Sequence, residues 1–151
     1  MSNVPVTTVF IGSSSAAKSQ ARAIILKFTS PTLKFIPWWE AFTPGRTLLE
    51  DLDAIRSQVD AALLVFSPEA QSTIRGNPVP VPNLNVLFEF GYFYGCLGKS
   101  HVAMLKYGDF YLPSDLGGYV HIVGSRYFQR NAVVQVGKRT EHDFTKWITA
   151  V

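Results

Sequence analysis

The run Ala61-Ala62-Leu63-Leu64-Val65-Phe66 constrains this chain more than any other segment. It is apolar at every position, with no alternation, so it cannot be a strand with one wet face. It reads as a central strand covered on both faces. Covering both faces takes helices on either side, and the flanking sequence supplies them. Val6 to Gly12 is a β-branched, apolar run that reads as a buried first strand. Ser13, Ser14 and Ser15 then offer N-cap chemistry for a helix with Ala17, Ala21, Ile24, Ile25 and Phe28 on one face. Ser30-Pro31 breaks that helix, and Leu33 to Trp38 reads as a second strand.

Thr43-Pro44-Gly45 is a turn. Thr47 with Glu50 makes a capping box for a helix whose inner face is Leu48, Leu52, Ile55 and Val59. Beyond the central strand, Ser67-Pro68-Glu69 ends the run, and Arg75 to Pro82, rich in proline, reads as a loop. A helix through Asn85 to Gly95 stops at Leu97-Gly98-Lys99, a glycine C-cap followed by a cation. His101 to Leu105 and Val120 to Val123 are further strands, with a turn or short helix at residues 113–118 between them. Thr140 to Val151 is a closing helix with Phe144, Trp147 and Ile148 inward. Strand and helix alternate throughout. That predicts a flavodoxin-like three-layer α/β fold with a central parallel sheet of about five strands. With no repeat and no linker composition, residues 1–151 form one domain.

Composition narrows the function classes. Hydrophobic residues make up 47% and charged residues 17%, a globular balance. No apolar run approaches the roughly 20 residues of a membrane span, and the N-terminus lacks a secretion signal. The single cysteine, Cys96, lies within the apolar helix and reads as a buried, inert thiol, in keeping with a reducing cytoplasm. The net charge is +3, but the cations are scattered and no nucleic-acid reader motif is present, so direct nucleic-acid binding is not expected. His101, His121 and His142 share no ligand spacing, so no metal site is expected.

The chemistry concentrates around Asn85-Val86-Leu87-Phe88-Glu89-Phe90-Gly91-Tyr92-Phe93-Tyr94-Gly95, a nearly all-apolar helix with one carboxylate in its middle. Either Glu89 points to solvent, or it is desolvated and used; a desolvated acid has a raised pKa, and such acids cluster at functional sites. In a parallel sheet, ligands bind beyond the carboxyl ends of the strands. Gly12 to Ser15 at the end of the first strand either binds an anion or ribose through its amides and hydroxyls or is a simple capped turn. Trp38, Trp39 and Phe42 follow the second strand and either stack on a ring or join the core; one of the tryptophans is expected in the core, because neighbours on a strand end point opposite ways. Arg46, after the Pro-Gly turn, meets either a phosphate or solvent.

Taken in order, these pieces are Phe-Ile-Gly-Ser-Ser, a Trp with Phe-Thr-Pro-Gly-Arg-Thr-Leu-Leu-Glu, Leu-Val-Phe-Ser-Pro-Glu, Asn-Val-Leu-Phe-Glu-Phe-Gly, and Pro-Ser-Asp-Leu-Gly-Gly. Over Val6 to about Val123 the chain resembles the bacterial TIR-like domain of anti-phage effectors, the type found in CBASS TIR–STING proteins and Pycsar TIR effectors. The resemblance implies an NAD+ glycohydrolase that cleaves the nicotinamide–ribose bond, with NAD+ as substrate and no cofactor. It makes Glu89 the catalytic residue. It makes Phe10, Gly12, Ser13, Ser14, Trp38, Phe42, Arg46, Ser67 and Asp115 the substrate-binding set. It also implies self-association into an oligomer or filament, driven by a cyclic-nucleotide sensor domain in cis or in trans; nothing in this chain reads as that sensor. The family commonly carries an arginine shortly before Asn-Val, where this chain has Pro82-Asn83-Leu84, and Arg75 is the candidate to stand in for it. Two other readings stay open: a nucleoside deoxyribosyltransferase-like enzyme, which uses a helix glutamate beside a ribose, and a non-catalytic TIR interaction module. Pro-Ser-Asp-Leu and the Trp-Trp segment favour the TIR reading over the deoxyribosyltransferase.

Overall fold

A computed structural model describes residues 3–116, 118–125, 129–130 and 133–151. Gly117, in the turn expected at 113–118, lies outside the described residues. Five parallel strands form the central sheet: β1 (Thr7–Ser13), β2 (Leu33–Pro37), β3 (Ala61–Phe66), β6 (Val102–Lys106) and β7 (Val120–Val123), in the order β2-β1-β3-β6-β7. Two small antiparallel pairs stand apart from it, β4 (Ala70–Ile74) with β5 (Asn77–Val81) and β8 (Gln129–Arg130) with β9 (Val133–Val134). The helices are α1 (Lys18–Phe28), α2 (Trp38–Ala41), α3 (Leu48–Arg56), α4 (Leu84–Leu97) and α5 (Lys138–Ile148). None of the described helices is long and apolar enough to cross a membrane.

The central strand is buried at all of its positions, as its composition requires. Its side chains divide by the two-residue period of a strand. Ala61, Leu63 and Val65 join Val9 and Ile11 of β1 beneath α1 and α5. Ala62, Leu64 and Phe66 join Phe10 beneath α3 and α4. The expected inner faces hold: Ala21 and Ile24 of α1, Leu52 and Ile55 of α3, and Phe144 and Trp147 of α5 are buried. The capping box at α3 is formed, with Thr47 Oγ1 accepting from Glu50 N at 3.2 Å and Glu50 Oε2 accepting from Thr47 N at 2.7 Å. The helix through Glu89 ends at Gly98, which takes a φ of 87° open to glycine alone without strain.

Three expectations need correction. The segment from Arg75 to Pro82 is not a loop but the turn and second strand of a hairpin. Arg75 and Gly76 take φ of 51° and 81°, the positive pair that a two-residue hairpin turn demands, and Ile74 pairs with Asn77 across it. Cys96 is exposed, not buried. The buried stripe of α4 runs through Val86, Glu89, Phe90 and Phe93, and Cys96 falls off that stripe to meet the Arg56 guanidinium, whose Nη1 lies 3.7 Å from its Sγ. Trp38 does not end β2 but begins α2. Both tryptophans, and not one alone, pack against a core: Trp38 with the α3–α4 core and Trp39 with the α1 core, each partly buried.

Phe144 is fully buried, with its ring 4.2 Å from Phe28 and 5.8 Å from Trp147 between centroids. Phe144→Ala should cost about 3–5 kcal/mol, read by urea unfolding. A loss under about 1 kcal/mol would show that α5 contributes little to the core beneath it.

Candidate functional site

The first two crossovers lie on opposite faces, α1 after β1 and α3 before β3, so strand order reverses between β1 and β3, and the carboxyl end of β1 opens into a crevice at that point. A cleft of about 300 Å³ lies there, lined by Ser13, Ser14, Ser15, Trp38, Phe42, Leu48, Asn83, Asn85, Val86 and Glu89. These residues come from five parts of the chain: the end of β1, α2 and its exit, the start of α3, the N-cap of α4, and the first turns of α4.

Glu89 forms the buried floor. It is 3% exposed, and its Oε2 is a buried side-chain oxygen with no hydrogen-bond partner among the described residues. Burial pushes its pKa up to about 8 from the usual 4.5. The approach is made possible by Gly12, since a Cβ at that position would stand 2.6 Å from Glu89 Oε2 and 2.6 Å from Leu64 Cδ1. Only a residue without a side chain lets the carboxylate reach the end of β1. Buried polar atoms are almost always hydrogen-bonded, so an orphaned carboxylate oxygen at the edge of a cleft is an acceptor free for a ligand.

The walls are fixed by their own contacts. Trp38 Nε1 donates to Ser13 Oγ at 2.8 Å, and Ser13 Oγ in turn donates to the Ser14 carbonyl at 2.9 Å. Ser14 Oγ accepts from Ala17 N at 3.2 Å and closes the turn into α1. Phe42 leans on Trp38 with centroids 6.4 Å apart, and Phe10 supports Phe42 from behind at 6.1 Å. The Lys18 ammonium lies 5.6 Å from the Trp38 ring. At the other wall, Asn83 Oδ1 accepts from Asn85 N and Val86 N, capping α4. Asn85 lies one turn before Glu89 on the same helix face.

Of the residues expected at the site, Glu89, Ser13, Ser14, Trp38 and Phe42 line the cleft, and Gly12 lies against Glu89. Phe10 is wholly buried and serves as backing. Arg46 is clamped away from the cleft: its Nε lies 3.1 Å from Asp51 Oδ1, and its Nη2 donates to the Glu50 carbonyl at 3.1 Å. Ser67, half-buried at the end of β3, and Asp115, exposed in the 113–116 turn, are not among the lining residues. Arg75 stands at the exposed tip of the β4–β5 hairpin and does not line the cleft either. Asn83, Asn85, Val86 and Leu48 were not anticipated. The signal for the first two was an Asn at a helix start, which reads as a cap whether or not it also faces a ligand. Among the described residues no cluster of three His, Cys, Asp or Glu side chains could hold a metal ion.

Comparison with known proteins identifies the family. The family model described as "CAP12/Pycsar effector protein, TIR domain" matches residues 8–125. The chain is 34% identical over 126 residues to CD-NTase-associated protein 12 of Lachnospiraceae bacterium (strain RUG226), covering 80% of this chain and 40% of that protein. It is 33% identical over 117 residues to Pycsar effector protein PaPycTIR of Pseudomonas aeruginosa, covering 76% of this chain and 38% of that one. It is 30% identical over 117 residues to Pycsar effector protein BcPycTIR of Burkholderia cepacia, with 76% and 39% covered. The chain thus spans about two fifths of the length of these relatives. With the match running from β1 through β7 and including every residue that lines the cleft, the chain belongs to the CAP12/Pycsar effector TIR-domain family.

Proposed function

We propose that this domain is an NAD+ glycohydrolase, the effector part of an anti-phage defence system. The observation that carries the reading is the buried, unpartnered Oε2 of Glu89 at the floor of an aromatic-walled cleft. At about 300 Å³ the cleft lies at the low end for ligand sites, the size for the nicotinamide–ribose end of NAD+ and not for the whole dinucleotide. The fixed Trp38 indole offers a face for the nicotinamide ring, and Ser13 to Ser15 with Asn85 offer polar groups to the ribose. Cleavage breaks the bond between ribose C1′ and the ring nitrogen. The bonding pair goes to that nitrogen and discharges its positive charge, so nicotinamide leaves neutral. The positive charge passes to the ribose as an oxocarbenium-like state, which the Glu89 carboxylate stabilises at close range in a dry site. Water adds to C1′ and loses a proton, giving ADP-ribose.

One carboxylate suffices because nicotinamide needs no general acid to leave, unlike the departing alcohol of an ordinary glycoside. The relatives' names tie them to cyclic-nucleotide signalling systems. A sensor domain in cis or a sensor partner in trans, acting in the cytoplasm by driving self-association, is the activation this chain would share.

Glu89→Gln keeps the shape and removes the charge. Nicotinamide release from NAD+ should fall by about 10²–10³-fold; turnover at the parent rate would remove Glu89 from the chemistry. Release of free base from deoxynucleosides, with NAD+ left intact, would move the assignment to a deoxyribosyltransferase.

The pH dependence follows from the raised pKa. Since the carboxylate must be ionised, kcat/KM for NAD+ should rise with pH through about 8. The limb in kcat should fall lower, because the bound cationic ring favours the charged form. Stability runs the other way. Both states are protonated below the unfolded value of 4.5, so the penalty is absent there; it grows as pH rises to about 8, at roughly 1.4 kcal/mol per pH unit at most. Thermal melts of Glu89→Gln should therefore gain on the parent between pH 5 and pH 8.5. A constant offset across that range would mean that Glu89 is not desolvated in solution.

A further inference from the structure

The β4–β5 hairpin has two edges of opposite character. The Pro80 carbonyl accepts from Tyr111 N, which approaches from outside the ribbon at 2.8 Å. Pro80 and Gln71, opposite each other in the register, are therefore a pair whose backbone groups point away from one another. By the same alternation the backbone of Thr73, opposite Pro78, also points outward. On the β5 side the outward positions 78 and 80 are prolines, which have no N–H to offer, and that edge is blunted. On the β4 side Gln71 and Thr73 present both N–H and C=O. Both residues are exposed, and neither has a backbone partner among the described residues. β4 is an open edge.

We propose that β4 pairs antiparallel with β4 of a second copy of this chain, about a twofold axis at Ser72. That register sets Gln71 opposite Thr73 of the second copy, and Thr73 opposite its Gln71. Both outward residues of each strand then exchange both of their hydrogen bonds. Moving the axis to Gln71 or to Thr73 keeps one such pair, because Glu69 already donates its N–H to the Val81 carbonyl and Arg75 leaves the strand at a φ of 51°.

Charge selects the same register. With the axis at Ser72, Glu69 faces Arg75 of the other copy at both ends. Both side chains are exposed, and neither is ion-paired among the described residues. The strand between them, Ala-Gln-Ser-Thr-Ile, carries no charge that would oppose its own copy. The hairpin leads directly through Pro82 into Asn83, the cap of α4 that also lines the cleft, so pairing steadies the rim of the site. The contact gives a location to the self-association proposed above. It rests on the hairpin alone, and sedimentation reads it without NAD+ turnover, so failure of either reading leaves the other standing.

Sedimentation velocity of the full chain over a range of concentrations should show a monomer–dimer equilibrium. Thr73→Pro removes an outward N–H that the hairpin's own ladder does not use, so it should abolish the dimer with the melting curve preserved. Glu69→Arg and Arg75→Glu should each weaken self-association by about tenfold, through two like-charge contacts per dimer. Mixed together, these two variants should associate at least as well as the parent, because the mixed pair sets Arg against Glu at both ends. The proposal is overturned by a parent chain that stays monomeric at every concentration. It is equally overturned by a Thr73→Pro chain that dimerises like the parent, or by a mixture that associates no better than either variant alone.

Discussion

The carboxylate of Glu89 sits where it does because Gly12 has no side chain. Around that one close approach the rest of the site is organised. β1 must end in a residue that leaves room for Oε2, and α4 must lie close enough over the sheet for a mid-helix side chain to reach the strand end. Desolvation costs an ionised carboxylate dearly unless it is paired, and Glu89 Oε2 has no partner among the described residues. The resting domain therefore holds this group largely as the neutral acid near neutral pH. A cationic ring placed beside it removes the penalty. For the substrate proposed above, the dryness of the floor would favour a positively charged ring over an uncharged one.

The position of the cleft follows from the fold's handedness and strand order. With α1 on one face and α3 and α4 on the other, β1 ends in a gap between crossovers. The residues that close the gap do two jobs. Asn83 caps α4 and lines the cleft. Ser13 anchors the Trp38 indole and turns the chain toward α1. A site assembled from groups that also hold the local structure is rigid before any ligand arrives, and that preorganisation lowers the cost of binding.

Much of this was legible in the sequence. The unbroken apolar run of β3 implied two covered faces, and the alternating elements implied the parallel order. A single acid within Val86 to Phe93 marked Glu89 before any neighbour was known. What escaped was what depends on three-dimensional direction. Arg46 followed a turn near the site, but Asp51, buried one turn into α3, draws it aside. Cys96 shared an apolar segment with Glu89, yet α4 has one stripe facing the sheet and Cys96 lies off it. The prolines at 78 and 80 argued against a strand, and they are tolerated because their nitrogens lie on the outer edge, where the pair needs no donor. In each case composition was read correctly and orientation decided the outcome.

Trp38 and Trp39 are neighbours in the chain but belong to cores on opposite faces of the sheet, and their rings meet nearly edge-on at 84°. Lys18 and Arg22 of α1 stand 5.0 Å and 5.5 Å from the Trp39 ring. The pair works as a rivet through the border of the sheet. Trp39, held beneath α1, steadies the backbone that carries the Trp38 wall, so the packing of one core helps to set the shape of a cleft on the opposite face of the sheet.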